Sequence, residues 1–269
     1  MTVKPLNGIR LTIWKLSVAF LSGLILGVVA GLIGVGGGEF RIPVLLHVLR
    51  LPLLTMIPVN LMVGLITVSV SFARRFQLDL WNSDHLSISL TMSATSILGA
   101  YFGAFLTGRI PEKPVKILLI ILLVAVGLKI MIEPFTQFPV NPRLNLGFIE
   151  ILLVLFTGFA IGVISGMLGV AGGEFRIPTL MYVFGFNVVA AGTISLFVSI
   201  PTVASGLVKH HNMKHMNQKA TVIAIVMSTG SVIGALIGAT YVKVVEENLL
   251  KIMLGAILIM ATIRMMIKH

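Results

Sequence analysis

Two identical tripeptides concentrate the reactive chemistry of this chain: Glu39-Phe40-Arg41 and Glu174-Phe175-Arg176. Each directly follows a glycine run, Gly36, Gly37 and Gly38 in the first case and Ala171, Gly172 and Gly173 in the second. Guanidinium groups grip oxyanions by forked hydrogen bonds, and a carboxylate beside them can take up and release a proton. Both tripeptides sit among long apolar stretches, where a charge at membrane centre costs about 2.5–3.5 kcal/mol, so such groups are paired or functional. In one reading Arg41 and Arg176 hold an anion while Glu39 or Glu174 couples its movement to protons. In another, Glu and Arg neutralise one another and pin two pieces of backbone together. In a third the tripeptides reach the headgroups, where long side chains meet water.

The elements that position these groups follow from the glycines. A glycine run at the end of a membrane helix bares amides that lipid cannot satisfy, and such backbone survives only inside protein or beside water. The pattern predicts a broken helix in each case, with amides around Gly37 and Gly172 turned toward an anion. Pro43 and Pro178 suit the first turn of the next helix. Asn60, Thr67, Ser195 and Thr202 are polar positions that could line the cavity, although hydroxyls also bond their own helix. His47, with Tyr182 as its counterpart, is a possible relay or an interfacial residue. His210, His211 and His215 have metal-compatible spacing but lie in a basic stretch without a carboxylate, so neither metal nor cofactor is expected. Gly27, Gly31 and Gly34, Gly162, Gly166 and Gly169, Gly99 with Gly103 and Gly234 with Gly238 have the spacing of closely packed membrane helices. Lys129 and Arg264 are read as snorkelling.

Composition fixes the solvent. With 57% hydrophobic and 11% charged residues and a mean hydropathy of +1.06, the 269-residue chain belongs in lipid. Eight stretches are long enough to span: Leu16–Ile33, Ile57–Ala73, Leu86–Thr107, Val115–Ile132, Ile149–Val170, Val188–Val208, Ala220–Val242 and Leu249–Ile267. Lys4, Arg10 and Lys15 give the first the look of a signal peptide, but no small-residue cleavage site follows. The formal charge of +11 is scattered through short loops, where it sets orientation and forms no nucleic-acid patch. Cysteine is absent, which removes disulfides and thiol chemistry. No nucleophile–base constellation or H-E-x-x-H pair argues for an enzyme. The glycine run also resembles a phosphate loop, but no strand-loop-helix unit surrounds it.

The chain repeats itself. GLIGVGGGEFRIPVL at Gly31–Leu45 returns as GMLGVAGGEFRIPTL at Gly166–Leu180, and the offset of 135 residues also carries Gly23 onto Gly158, Ser93 onto Ser228 and Lys129 onto Arg264. The expected architecture is all-α: residues 1–134 form a first repeat, 135–148 a linker and 149–269 a second repeat. Each holds four full helices and a short broken or re-entrant piece, Ile42–Leu54 or Ile177–Ala190. If the short pieces complete a crossing, the repeats are inverted. The loop holding Arg74, Arg75, Asp79 and Asp84 is matched by one holding Lys209, Lys214 and Lys219, and the bias reverses at the next loop, with Arg109, Lys113 and Lys116 against Lys243, Lys251, Glu246 and Glu247. That alternation favours inversion, with both termini, including Arg264 and Lys268, in the cytoplasm and the linker around Arg143 outside.

Two copies of G-x-x-G-x-G/A-G-G-x-x-x-x-P-x-L, each after the first helix of a half, resemble the TauE/SafE sulfite-exporter family, also called the toluene sulfonate uptake permease family. The resemblance covers nearly the whole chain. It implies a secondary carrier of sulfite, organosulfonates and related small anions in a prokaryotic cytoplasmic membrane. It carries over to Gly34, Gly36, Gly37, Gly38 and Pro43, and to Gly169, Gly172, Gly173 and Pro178. Ala171 departs from the glycine run, so the two halves of a site need not be equivalent. The expected function is transport of a small anion across the lipid bilayer, with an anion channel or a non-transporting scaffold subunit as alternatives.

Overall fold

The structure is a computed structural model describing residues 12–106, 112–135, 147–212, 216 and 218–267. Lys4, Arg10, Arg109, Arg143, Lys214, His215 and Lys268 lie outside them, as do the side chains of Lys113, Lys116, His211 and Arg264. Among the described residues there are α-helices, short 3-10 and π turns, and no strand. The helices are α1 (Ile13–Ile33), α2 (Gly38–Pro43), α3 (Leu53–Gln77), α4 (Leu86–Leu106), α5 (Glu112–Ile132), α6 (Phe148–Leu168), α7 (Gly173–Tyr182), α8 (Val188–Asn212), α9 (Gln218–Tyr241) and α10 (Glu247–Ile267). Six stretches, namely α1, α3, α6, α9, Ser83–Leu106 and Val188–His210, are long and apolar enough to cross a membrane. The expected spans Val115–Ile132 and Leu249–Ile267 correspond to α5 and α10, 21 residues each, which pack on one another. Leu21, Ile25, Leu98, Ile121 and Phe156 project outward from the bundle, as residues bathed in lipid do.

Glycine stripes build the two longest seams. On α1, Gly23, Gly27 and Gly31 meet Met227, Ser231 and Ala235 of α9; a methyl group on Gly27 would lie 2.6 Å from the Ser231 carbonyl oxygen. On α6, Gly158, Gly162 and Gly166 meet Met92, Ser96 and Ala100 of α4 in the same way. Without side chains in between, backbones approach closely enough for hydroxyls to bridge helices: Ser231 donates to the Gly23 carbonyl at 3.1 Å and Ser96 to that of Gly158 at 2.8 Å. Residue numbers rise together along both seams, so α1 runs parallel to α9 and α4 parallel to α6. The packing expected of these glycines is what the helices use them for.

Between the seams lie α3 and α8, the most buried of these six stretches. Arg75 near the C-terminus of α3 donates to the Val189 carbonyl and Thr193 hydroxyl near the N-terminus of α8, while Gly206 near the far end of α8 rests against Leu61. These two helices therefore run antiparallel. Each carries a stripe of small or polar residues at helical spacing: Asn60, Gly64, Thr67, Ser71 and Arg75 on α3, and Ser195, Ser199, Thr202, Gly206 and His210 on α8.

Three sequence expectations need correction. The short helix begins at Gly38 or Gly173, so Pro43 and Pro178 are the sixth helical residues and not part of the first turn. A proline there leaves a carbonyl one turn back without its amide, and in the first case α2 passes at once into a π turn, Val44–Val48. Second, α3 extends to Gln77, so Arg74 and Arg75 belong to its last turn, and Arg75 is fully buried and does not mark a loop. Its guanidinium caps α1, donating to the carbonyls of Gly31 and Leu32 at 2.9–3.3 Å. Third, the first short helical piece occupies residues 38–48 and not Ile42–Leu54, because α3 already starts at Leu53.

Candidate functional site

Both helix breaks are made by glycines in the left-handed region. Gly34 (φ 95°) ends α1, and Gly36 (92°) and Gly37 (68°) lead into α2; Gly169 (69°) ends α6 and Gly172 (77°) leads into α7. Ala171 stands where Gly36 would recur and does not take a positive φ, since its Cβ disfavours that region, so the second break has a different path. The two breaks lie back to back. A methyl group on Gly36 would be 2.7 Å from the Ala171 Cβ, one on Gly38 would be 3.3 Å from the Val170 Cα, and Gly173 is pressed against Val35.

Asn60 fastens the two together. Its side-chain amide donates to the Gly38 carbonyl at 3.1 Å and to the Gly169 carbonyl at 2.8 Å, one from each break. Its oxygen accepts from Arg41 Nε at 3.1 Å. Arg41, with no exposed surface, also donates through Nη1 to the Thr67 hydroxyl at 3.0 Å and through Nη2 to the Gly36 carbonyl at 2.6 Å. Every nitrogen of this guanidinium has a protein partner, and Gly64 leaves it room: a methyl group there would stand 3.3 Å from Nη2.

Arg176 is equally buried but differently held. Only Nη1 donates, to the Ser199 hydroxyl at 2.7 Å and to the carbonyls of Ala171 and Ser195 at 3.3 Å each. Nε and Nη2 have no protein partner among the described residues, and neither does the nearby Ser195 hydroxyl. Nη2 lies beside Gly172, where a methyl group would come within 3.7 Å. The cause is compositional. Ser195 occupies the place that Asn60 holds on α3 and is too short to accept from Nε; Thr67 and Thr202 both donate to their own helices, at Val63 and Val198, but Thr67 also accepts from Arg41, whereas Arg176 donates to Ser199 instead. Buried charged donors without partners cost more than about 1–3 kcal/mol each; such a site favours an anionic acceptor.

Glu39 and Glu174 complete the cluster. Both are buried, at 7% and 1% exposure, and their carboxyl groups interact directly across the meeting of the breaks. The charge of Glu39 also acts on Arg41 and that of Glu174 on Arg176. Of the residues singled out by sequence, Gly36, Gly37, Gly38, Glu39, Arg41, Asn60, Gly172, Gly173, Glu174, Arg176 and Ser195 are thus brought together. Pro43 and Pro178 lie farther along their short helices, and His47 is exposed on the π turn. Sequence reasoning missed Ser199, Gly64 and Arg75. The signal that could have found them is the helical spacing of small and polar residues along the third segment of each half.

Six membrane-length apolar stretches enclosing charged groups at two facing breaks define a multi-pass membrane protein. The particular family follows from comparison: the profile of the sulfite exporter TauE/SafE family matches residues 5–130 and 153–269, and the chain belongs to that family. Among curated proteins, "Probable membrane transporter protein YdhB" of Bacillus subtilis (strain 168) is 24% identical over 230 residues, covering 84% of this chain and 90% of that protein. "Probable membrane transporter protein ORF9" of Sinorhizobium sp is 25% identical over 255 residues, covering 93% and 92%. No solved structure matches significantly.

Proposed function

We propose that this protein is a secondary carrier of a small anion, such as sulfite, an organosulfonate or a related sulfur or carboxylate anion, across the cytoplasmic membrane, with proton coupling through Glu39 and Glu174. The carrying observation is Arg176, a buried guanidinium whose Nε and Nη2 lack protein partners among the described residues and lie beside Gly172 and the unpartnered Ser195 hydroxyl. A planar fork with free donors in a low-dielectric setting matches the geometry of a sulfonate or carboxylate. The amide end of α7, opening at Gly172, adds favourable dipole to the same place. Gly36 and Gly38 of the first break, with Gly37, Arg41 and Asn60 beside them, adjoin the second break at Val170 and Ala171.

The two halves, 1–134 and 149–269 about a linker at 135–148, act as inverted repeats. The antiparallel course of α3 and α8, which correspond at the 135-residue offset, supports this. So do the seams, which pair the first helix of each half with the fourth of the other. Inversion also brings Lys209 in the last turn of α8 and Lys219 in the first turn of α9 to the side opposite Arg74, and the burial of Arg75 lowers the outward positive count, in keeping with cytoplasmic termini. Rocking of one half against the other about the breaks would expose the site alternately.

The test is a thermal-shift screen of purified protein with sulfite, sulfate, thiosulfate, methanesulfonate and acetate, followed by flux in proteoliposomes. One or more should stabilise the wild type, and Arg176→Ala should abolish that shift and lower flux at least about 100-fold, in line with loss of a bidentate charged contact. A folded Arg176→Ala protein with unchanged flux would remove the assignment.

A further inference from the structure

The charge balance of the site deepens the reading of Arg176 as the anion anchor, and rests on it. Four ionisable side chains are buried where the breaks meet: Arg41 and Arg176 at 0% exposure, Glu39 at 7% and Glu174 at 1%. The surroundings contributed by α3 and α8 are neutral, namely Asn60, Gly64 and Thr67 on one side and Ser195, Ser199 and Thr202 on the other. Arg75 lies at the end of α3 and is engaged with carbonyls of α1 and α8; His210 is the buried counterpart near the end of α8. The Glu133–Lys251 pair sits beyond the ends of α5 and α7. Among the described residues, the charges that face the two carboxyl groups are therefore Arg41 and Arg176.

A buried site that must move between two aqueous faces cannot carry net charge cheaply. With both carboxyls ionised, two negative charges balance two positive ones and the empty site is neutral. A monoanion arriving alone would leave the site with one uncompensated negative charge. A monoanion arriving with one proton, held between two carboxyl groups already in contact, restores neutrality. Two facing carboxyls are suited to this: the charges of Arg41 and Arg176 beside them balance both carboxylates in the empty site, and an anion entering there adds like charge at close range that favours one shared proton.

We propose that Glu39 and Glu174 form a single proton-binding dyad and that one proton enters the site with each negative charge of the anion, so that transport is electroneutral anion–proton symport. The dyad has room for two protons, so the rule extends to a dianion with two. No bond is made or broken except that between proton and carboxylate. The proton comes from the water on the side of entry and leaves to the water on the other.

The experiment uses the full chain in proteoliposomes with a pH dye inside, potassium and valinomycin to set the membrane potential, and methanesulfonate as the probe because it stays ionised at every working pH. Sulfite is run in parallel. The wild type should move one proton with each methanesulfonate, at a rate that does not change when the potential is set inside-negative. Binding should weaken about tenfold for each pH unit above the range in which the dyad titrates. Glu39→Gln and Glu174→Gln, made separately so that one folding failure leaves the other, each remove one negative charge permanently. A monoanion then neutralises the site unaided, so each variant should carry methanesulfonate without a proton, lose the pH dependence and become sensitive to potential. A merely structural carboxyl would lower rates without changing stoichiometry. Wild-type anion flux without proton movement, potential-sensitive wild-type flux, or retention of coupling in both variants overturns the dyad and leaves the anion site standing. If neither methanesulfonate nor sulfite binds or moves, the anion reading falls and the dyad with it.

Discussion

The two helix breaks share a sequence motif and differ in what their arginines do. At the first, Arg41 is tied through Asn60, Thr67 and the Gly36 carbonyl and serves to close the break on itself. At the second, a serine in place of asparagine and an alanine in place of glycine leave Arg176 with two nitrogens without protein partners among the described residues. A duplicated unit has thus kept its charges and redistributed their tasks. One arginine braces the scaffold, and the other keeps two donors without protein partners among the described residues. Identity of residues in a repeat does not carry over identity of role, because role is set by neighbours on the packed helix.

The sharpest way to break that comparison is to exchange the neighbours. Asn60→Ala removes the acceptor for Arg41 Nε and the donor to two carbonyls, leaving a buried cation short of partners, and should lower unfolding stability by about 3–5 kcal/mol. Ser195→Ala deletes a hydroxyl without a protein partner and should cost less than about 1 kcal/mol. Thermal unfolding in detergent measures both, and equal losses would erase the distinction. In the converse variant, Ser195→Asn, an amide oxygen becomes available to Nε of Arg176. Melting temperature should rise while anion affinity, read by titration, falls about tenfold.

A second comparison sets one helix seam against another. On the α1–α9 seam a methyl group at Gly31 meets the backbone of Ala235 and Ala239 too closely to be accommodated, whereas Gly127 on α5 leaves 3.1 Å to the Gly255 carbonyl and to Ile259. Gly31→Ala should destabilise by about 1–3 kcal/mol, the usual cost of overpacking, and Gly127→Ala by distinctly less. Gly206→Ala, whose nearest neighbour is the Leu61 Cδ1 at 3.6 Å, serves as the tolerant control. Equal melting temperatures for Gly31→Ala and Gly206→Ala would mean the seam is looser than drawn.

Much of this layout was legible in the sequence for physical reasons. Spans announce themselves by length and hydropathy, and glycine stripes at helical spacing announce close packing. The glycine run with its charged tripeptide marks a break that lipid could not tolerate. What could not be read was division of labour: nothing in Glu39-Phe40-Arg41 distinguishes it from Glu174-Phe175-Arg176. The difference lies about 20 residues downstream, at Asn60 against Ser195, and has meaning only once α3 and α8 are packed beside the breaks. Arg75 is hard to read for a related reason. A cation at the end of an apolar run ordinarily belongs to a loop, and here it turns inward because the carbonyls ending α1 need donors. Proline's preference points Pro43 and Pro178 to a first turn, whereas the glycines start each helix earlier.

The smallest effect concerns the far ends of the two short helices. α7 ends at Tyr182, whose hydroxyl donates to Glu133 Oε2 at 2.6 Å; Lys251 meets Glu133 Oε1 at 2.8 Å, and the Lys129 ammonium lies 3.7 Å from the Tyr182 ring centre. At the corresponding position α2 gives way to a π turn bearing the exposed His47. Burial alone would raise the Glu133 carboxyl, but hydrogen bonds from Lys251 and Tyr182 and the charges of Lys251 and Lys129 outweigh it, so the group titrates below its usual value of about 4.5. A depressed folded-state value means stabilisation that is complete above the unfolded value and lost as pH falls through the folded one. Glu133→Gln should therefore lower stability by no more than about 1 kcal/mol at neutral pH, as expected for a partly solvated pair. The gap from wild type should close as pH drops below about 4.5, with His47→Ala unchanged throughout as the comparison at the other helix. A gap that persists at low pH would assign Glu133 a packing role and leave α7 no better anchored by charge than α2.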